Sequence, residues 1–431
     1  MFDVAVTCLV LTAILAYVNL RFIGLPTVIG VMAIALLFSL ALIGLDHLGI
    51  GGLHDYEVSL LASIDFSNLL MQGMLSLLLF AGALHIDVVA LKSYWWQVGI
   101  LAVAGTVASA FLVGCALWYL LPLLGLAMPW VYCLMFGALI SPTDPIAVIG
   151  ILKSAGAPKS LEVVISSESL FNDGVGVVMF TLLLGMISGG RAPTVVDAAI
   201  VLVREAGGGI AFGWVLGYVT YRMLKSIDSY QEEVLLTLAA VLGGYALATR
   251  LDISGPLAMV VAGLVVGHRG RALAMSATTR QHLDMFWGLV DATMNSVLFV
   301  LIGMEVVVIA FPANVLLASV GAILITLAAR LLSVAAPVVA FKHAFRLPNG
   351  AWQVLTWGGM RGGISVALAL ALPAGAERNV LLAMTYAVVV FSILVQGLSI
   401  RSVTRATADC EVTKNPLGHS VAHPSGRSNR G

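Results

Sequence analysis

Two carboxylates stand where an apolar chain tolerates charge least. Asp144 lies in GALISPTDPIAVIG (137–150), between Pro142 and Pro145 and next to Thr143. Asp173 lies in SSESLFNDGVGVV (166–178), after Asn172 and four residues beyond Ser169. A charge in hydrocarbon costs roughly 3 kcal/mol on insertion scales, so each needs a partner, a cavity or a function. Each proline removes a backbone donor and pushes the residue before it out of helical torsions, so the helix opens between Ser141 and Asp144. The freed carbonyls are tolerated only where the broken backbone lines a cavity or holds a ligand. Carboxylate, hydroxyl and carbonyl oxygens form a hard donor set, suited to a hard cation. The same carboxylate can take a proton instead, never both together.

The second stretch sorts its polar groups by helical geometry. Ser169 shares a face with Asn172 and Asp173, at spacings of three and four. Glu168 and Asp173 are five apart and diverge by roughly 140°, so these two carboxylates need different environments. Gly174 and Gly176 permit close backbone approach. Arg361 stands at the centre of a glycine-rich interruption, TWGGMRGGISVA (356–367), and Arg330 is one more charge inside an apolar span. Arg204, Glu205 and Glu305 fall nearer span ends, where snorkelling is expected.

These residues must be positioned by membrane-spanning helices. The chain has 431 residues, 60% hydrophobic and 10% charged, with a mean hydropathy of +1.03. That composition excludes a water-soluble domain, and zero net charge gives no basic surface for nucleic acid. Cys8, Cys115, Cys133 and Cys410 show no metal-ligand spacing and read as inert. The first apolar segment has no cleavage site and reads as a retained helix.

Windows of ~20 residues predict thirteen spans, near 3–20, 23–44, 67–86, 95–121, 129–152, 161–187, 194–221, 232–250, 254–267, 285–310, 314–340, 351–373 and 379–400. The 45–66 loop has room for an interfacial helix. With the N-terminus outside, thirteen Lys and Arg, from Arg21 to Arg405, fall in inner loops, and Arg191, Arg250 and Arg378 alone fall outside. The asymmetry predicts N-out, C-in. If 1–187 and 232–402 are inverted halves joined by a linker helix at 194–221, the fifth and twelfth spans are counterparts, and both are interrupted. Paired broken helices point to a transporter's midplane ion site. From 406 to 431 the chain turns polar and reads as a short disordered cytoplasmic tail.

SPTDPIAV, ESLFNDGVGVV, SGPLAMVVAGLVVG, NSVLFVLIGMEV, ARLLSV and WGGMRGGISVALAL occur in this order across nearly the whole membrane portion. Together they resemble the NhaP-type sodium/proton antiporters of the first monovalent cation/proton antiporter family. The resemblance implies an all-α polytopic protein of thirteen spans, built from two inverted six-helix repeats with two unwound crossing helices. It further implies a mobile core domain, a dimerisation domain and a homodimer in the cell membrane, expected to be a bacterial inner membrane. By motif, Asp173 is similar to the ion- and proton-binding aspartate and Asn172 to the asparagine before it. Thr143 and Asp144 resemble the unwound-helix residues, and Ser169 the serine lining the ion site. Sodium is thus expected at Asp173, Thr143, Ser169 and Asp144. Glu168 and Arg361 resemble a buried ion pair, with Arg330 as possible support. Some relatives carry a glutamate where this chain has Ala81, which removes a third carboxylate ligand.

The function these features imply is electroneutral exchange of Na+, and of Li+, for a proton, by alternating access and with no cofactor. Potassium/proton exchange is the alternative within the family. From other classes, an intramembrane aspartyl protease would share a proton between Asp144 and Asp173, but their flanks lack the Tyr-Asp and Gly-x-Gly-Asp motifs. An ion channel would use a broken helix as a filter, and conduction needs no titratable carboxylate there.

Overall fold

The structure is a computed structural model. It describes residues 2–48, 73–155, 157–189, 200, 201, 203–270, 275–307, 309, 311–341, 345, 347, 348 and 350–414. Most of the 45–66 loop, with its expected interfacial helix, and residues 415–431 of the expected tail lie outside these. All regular structure among the described residues is helical, as lipid demands of a chain that must satisfy its backbone internally.

In chain order the helices are α1 (Phe2–Val18), α2 (Thr27–His47), α3 (Leu75–Leu84), α4 (Val88–Leu123), α5 (Trp130–Ile140), α6 (Ile146–Ala155), α7 (Lys159–Gly189) and α8 (Gly208–Leu224). Next come α9 (Tyr230–Arg250), α10 (Gly255–Val265), α11 (Ala277–Met304), α12 (Ala313–Ala340), α13 (Ala351–Trp357), α14 (Gly363–Leu370), α15 (Ala376–Phe391) and α16 (Gly397–Lys414). Among the described residues, eight continuous helical stretches are long and apolar enough to cross a membrane, and α3 and α5 are shorter apolar helices.

Several ends are set by side chains that hydropathy does not see. Helix α4 starts seven residues before its expected span, because Asp87 accepts from Val89 N (3.0 Å) and Ala90 N (3.1 Å). Ser276 does the same for α11, accepting from Thr279 N at 3.3 Å. Helix α16 runs on to Lys414, so the first nine residues of the expected tail continue a helix. Glu305, expected to snorkel, is instead 6% exposed, with Arg378 as an opposite charge in reach. Arg204 is solvent-facing as expected and pairs with Asp252 at 2.8 Å.

Packing divides into two apolar clusters. One surrounds α7 and the interrupted helices; the other joins α3, α9, α10 and α11 around Phe80 and Trp287, whose rings lie 4.8 Å apart. Large apolar side chains such as Leu9, Ile14, Trp214 and Leu324 face outward. In a polytopic chain this is the lipid face rather than an aqueous one.

The helices α5 and α6 belong to one interrupted span, and α13 and α14 to another. Their unwound segments meet. Asp144 N donates to Met360 O at 2.8 Å, so each break fills part of the other's backbone deficit. Gly362 allows the approach, since a Cβ there would lie 2.5 Å from Asp144 Cβ. Gly176 of α7 sits against the ring of Pro142 in the same way.

Candidate functional site

The site begins with how α7 holds the first break. Asn172 accepts from Thr143 N at 3.1 Å through Oδ1, and its Nδ2 donates to Thr143 Oγ1 at 2.8 Å. Thr143 Oγ1 and Ser169 Oγ are 2.9 Å apart. All three side chains are buried. One asparagine therefore fastens both backbone and side chain of an opened turn, as a three-residue repeat on one helix face allows.

The two carboxylates of α7 do point into different surroundings. Glu168 is fully buried and meets Arg330 of α12 in a two-pronged pair, Nη1 to Oε1 at 2.5 Å and Nη2 to Oε2 at 2.9 Å. Asn172 Nδ2 also reaches Glu168 Oε1 at 3.4 Å. The expected Glu168–Arg361 pair is therefore corrected: Arg330 is the partner. Arg361, 2% exposed, uses its Nη1 on the carbonyls of Ser141 and Pro142, the latter at 2.9 Å. The reason is geometric. Breaking α5 at the prolines frees these carbonyls, and the glycine-flanked Arg361 sits opposite them across the crossing, while Arg330 of the unbroken α12 faces Glu168. Gly359 leaves room for that guanidinium, since a Cβ there would collide with Arg330 Nε.

Asp173 faces the opposite way, into a cavity of about 540 Å³. It is 7% exposed, and among the described residues its carboxylate accepts no hydrogen bond. Thr143, Asp144 and the start of α14 (Gly362 to Ser365) share the cavity wall. Ser169 and Asn172 do not reach that wall; they brace Thr143 from behind. Ala81 is buried away from the cavity, while its neighbour Gly82 lines it. At its other end the cavity reaches Asp87 and Lys159 at the N-terminal ends of α4 and α7, Glu162 in the first turn of α7, and Lys153 near the C-terminal end of α6. A buried carboxylate without a hydrogen-bond partner among the described residues, at the bottom of a cavity beside two crossing helix breaks, suits reversible binding of a small cation or a proton.

Residues 9–406 match the family model described as "Sodium/hydrogen exchanger, transmembrane". This chain belongs to the sodium/hydrogen exchanger family. The family is one of transporters, not enzymes. The chain is 51% identical over 413 residues to the Na(+)/H(+) antiporter NhaP of Pseudomonas aeruginosa, covering 94% of this chain and 96% of that protein. It is 34% identical over 379 residues to the Na(+)/H(+) antiporter NhaH of Halobacillus dabanensis, covering 86% and 90%. Among solved structures, the sodium proton antiporter MjNhaP1 of Methanocaldococcus jannaschii at pH 8 superposes with a TM-score of 0.71 at 20% identity, covering 94% of this chain and 97% of that one. That likeness is one of fold; the family match and the 51% identical relative are what mark this chain as a multi-pass membrane protein of NhaP type.

Two wall residues escaped the sequence reading. Asp291 and Asn295 of α11 line the cavity, with Asn295 Nδ2 donating to Asp291 Oδ1 at 3.0 Å and to Asp291 O at 2.8 Å. The available signal was the four-residue spacing of an acid and an amide inside a long apolar helix. Asp291 lies inside the expected 285–310 span, where charged α11 residues give way to apolar ones, and the sequence reading did not single it out.

Proposed function

We propose that this chain is a secondary active antiporter that exchanges a monovalent cation, Na+ and also Li+, for a proton by alternating access. The observation that carries it is Asp173: a deeply buried carboxylate, free of hydrogen bonds among the described residues, opening on the cavity beside both helix breaks. Dehydrating a cation there requires hard oxygens, which Asp173, Asp144 and Thr143 offer from the wall, with Ser169 next to Thr143. Proton and cation compete for the one carboxylate, so the core crosses loaded with either.

The family resemblance supports thirteen spans in two inverted halves, a transport core moving against a dimerisation domain, and a homodimer. The lysine-bearing helix ends at the open end of the cavity, taken with the positive-inside bias, support reading that end as cytoplasmic. The cavity is then the inward-facing access to the site.

The test is cation-dependent dequenching of a pH dye in everted vesicles, run with Na+, Li+ and K+ in turn. Exchange with Na+ is expected, and lowering the pH should raise the apparent KM for Na+ while leaving Vmax unchanged. A Vmax that falls with pH at constant KM refutes competition; activity with K+ alone replaces Na+ as the cargo.

A further inference from the structure

The cavity wall on α11 is one stripe, Gly288, Asp291, Asn295 and Leu298. Burial deepens along it: Gly288 is exposed, Asp291 half-buried, Asn295 1% exposed and Leu298 3% exposed. Leu298 packs against Gly363 at the second break. Seven residues at 1.5 Å each put Asp291 about 10 Å nearer the mouth than that level. The stripe on α7 runs from Glu162 at the mouth to Asp173, eleven residues or roughly 16 Å. Asp291 therefore stands between the mouth and the ion-binding floor.

Its electrostatic position differs from that of the mouth charges. Outermost, Asp87 and Glu162 share the cavity mouth with Lys153 and Lys159, and the Asp87 carboxylate is already engaged in capping α4. Among the described residues, Asp291 forms no ion pair with a lysine or arginine. Asn295 holds one of its oxygens, and His85 at the C-cap of α3, with Nδ1 hydrogen-bonded to Ala81 O at 2.7 Å, is a cationic-capable group in electrostatic reach. Asp173, more than nine-tenths buried and without a hydrogen-bond partner among the described residues, aims into the same cavity.

We propose that Asp291, steadied by Asn295, is a cation-recruiting residue: it holds a partly hydrated alkali cation in the outer cavity before the cation passes to Asp173. The inference rests on the antiporter reading and assigns a second stop on its cytoplasmic path. A cation shedding its water in stages needs a negative charge where water is still present, and a low-dielectric funnel of one sign concentrates counter-ions. Asp144 lines the cavity at the level of the crossing, beside the ion-binding floor, rather than in its outer part.

The test compares wild type, Asp291→Asn and Asp291→Glu in everted vesicles, where added Na+ meets the cytoplasmic face. Asp291→Asn should raise the apparent Na+ KM about three- to tenfold, as loss of a focusing charge does, with Vmax within about twofold. Asp291→Glu keeps the charge and should restore a KM near that of wild type. Raising ionic strength with an impermeant organic salt should shrink the difference between Asp291→Asn and wild type, since exposed charges are screened over about 8–10 Å. An unchanged KM in Asp291→Asn overturns the proposal. So does a loss shared equally by the Asn and Glu variants, which marks a packing role. If Asp291→Asn is not recovered folded in detergent, wild-type KM insensitive to ionic strength overturns it as well. Failure of wild type to exchange any cation would instead sink the antiporter reading.

Discussion

At the scale of single residues, Asp173 and Glu168 show how five positions on one helix separate chemistry from scaffolding. Asp173→Asn preserves size and removes the exchangeable charge, so it should abolish Na+-dependent dequenching while the protein still elutes as a folded species in gel filtration. Retained exchange would take this carboxylate out of the cycle. Glu168 and Arg330 form a buried pair, and removing one partner strands the other at a cost of ~3–5 kcal/mol. Glu168→Ala and Arg330→Ala should therefore each melt well below wild type, and the double variant should recover part of the loss. Arg361 serves different atoms, so adding Arg361→Ala to Glu168→Ala should deepen the loss instead. Thermal melts of the five proteins in one detergent decide between the two pairings.

The decisive element is the crossing of the two interrupted spans. Prolines open the first at Ser141 to Asp144, glycines open the second at Gly358 to Gly362, and the backbones then satisfy each other through Asp144 N and Met360 O. Arg361 neutralises the carbonyl ends of α5, Asn172 fastens Thr143, and no side chain intervenes at Gly362. Gly362→Ala places a methyl group against the Asp144 carboxylate. Overpacking of this kind costs typically ~1–3 kcal/mol. The predicted result is an exchange rate reduced at least about tenfold, as expected when site geometry shifts by a fraction of an ångström, with expression near that of wild type. Gly243→Ala, where an added Cβ meets nothing within 4 Å, is the matched control and should behave as wild type. Equal activity of the two variants would show that close approach at the crossing is dispensable.

For the whole molecule the question is how much charge moves per cycle. Asn172 is neutral at every accessible pH and is committed to Thr143 and Glu168. It adds no proton to the cycle. Glu168 is tied to Arg330, which leaves Asp173 as the deeply buried carboxylate that opens on the cavity. One proton for one Na+ is the expected stoichiometry. In proteoliposomes with a fixed pH gradient, a potassium-valinomycin potential should leave the initial Na+ flux unchanged, once K+ is shown not to be transported. A flux that rises or reverses with potential would mean that a second carboxylate, Asp144 or Asp291, titrates in the cycle.

Local chemistry made much of this legible before any fold was known. Proline donors are lost wherever proline sits, so the break at 141–144 follows from SPTDP alone. The divergence of Glu168 from Asp173 follows from 3.6 residues per turn. Hydropathy identified the chain as polytopic, yet it misjudged the ends of α4 and α11, because Asp87 and Ser276 extend those helices by hydrogen bonds that a window average does not register. What tertiary structure alone decided was partnership. Both Arg330 and Arg361 are buried cations near Glu168 in space, and sequence spacing carries no information about which guanidinium meets which acceptor across separate helices. Packing assigns Arg330 to the carboxylate and Arg361 to the freed carbonyls of Ser141 and Pro142. Asp291 became part of the cavity for the same reason: its place depends on α11 lying beside α3 and the second break, a relation fixed by the packing of distant helices and not by any residue's neighbours in the chain.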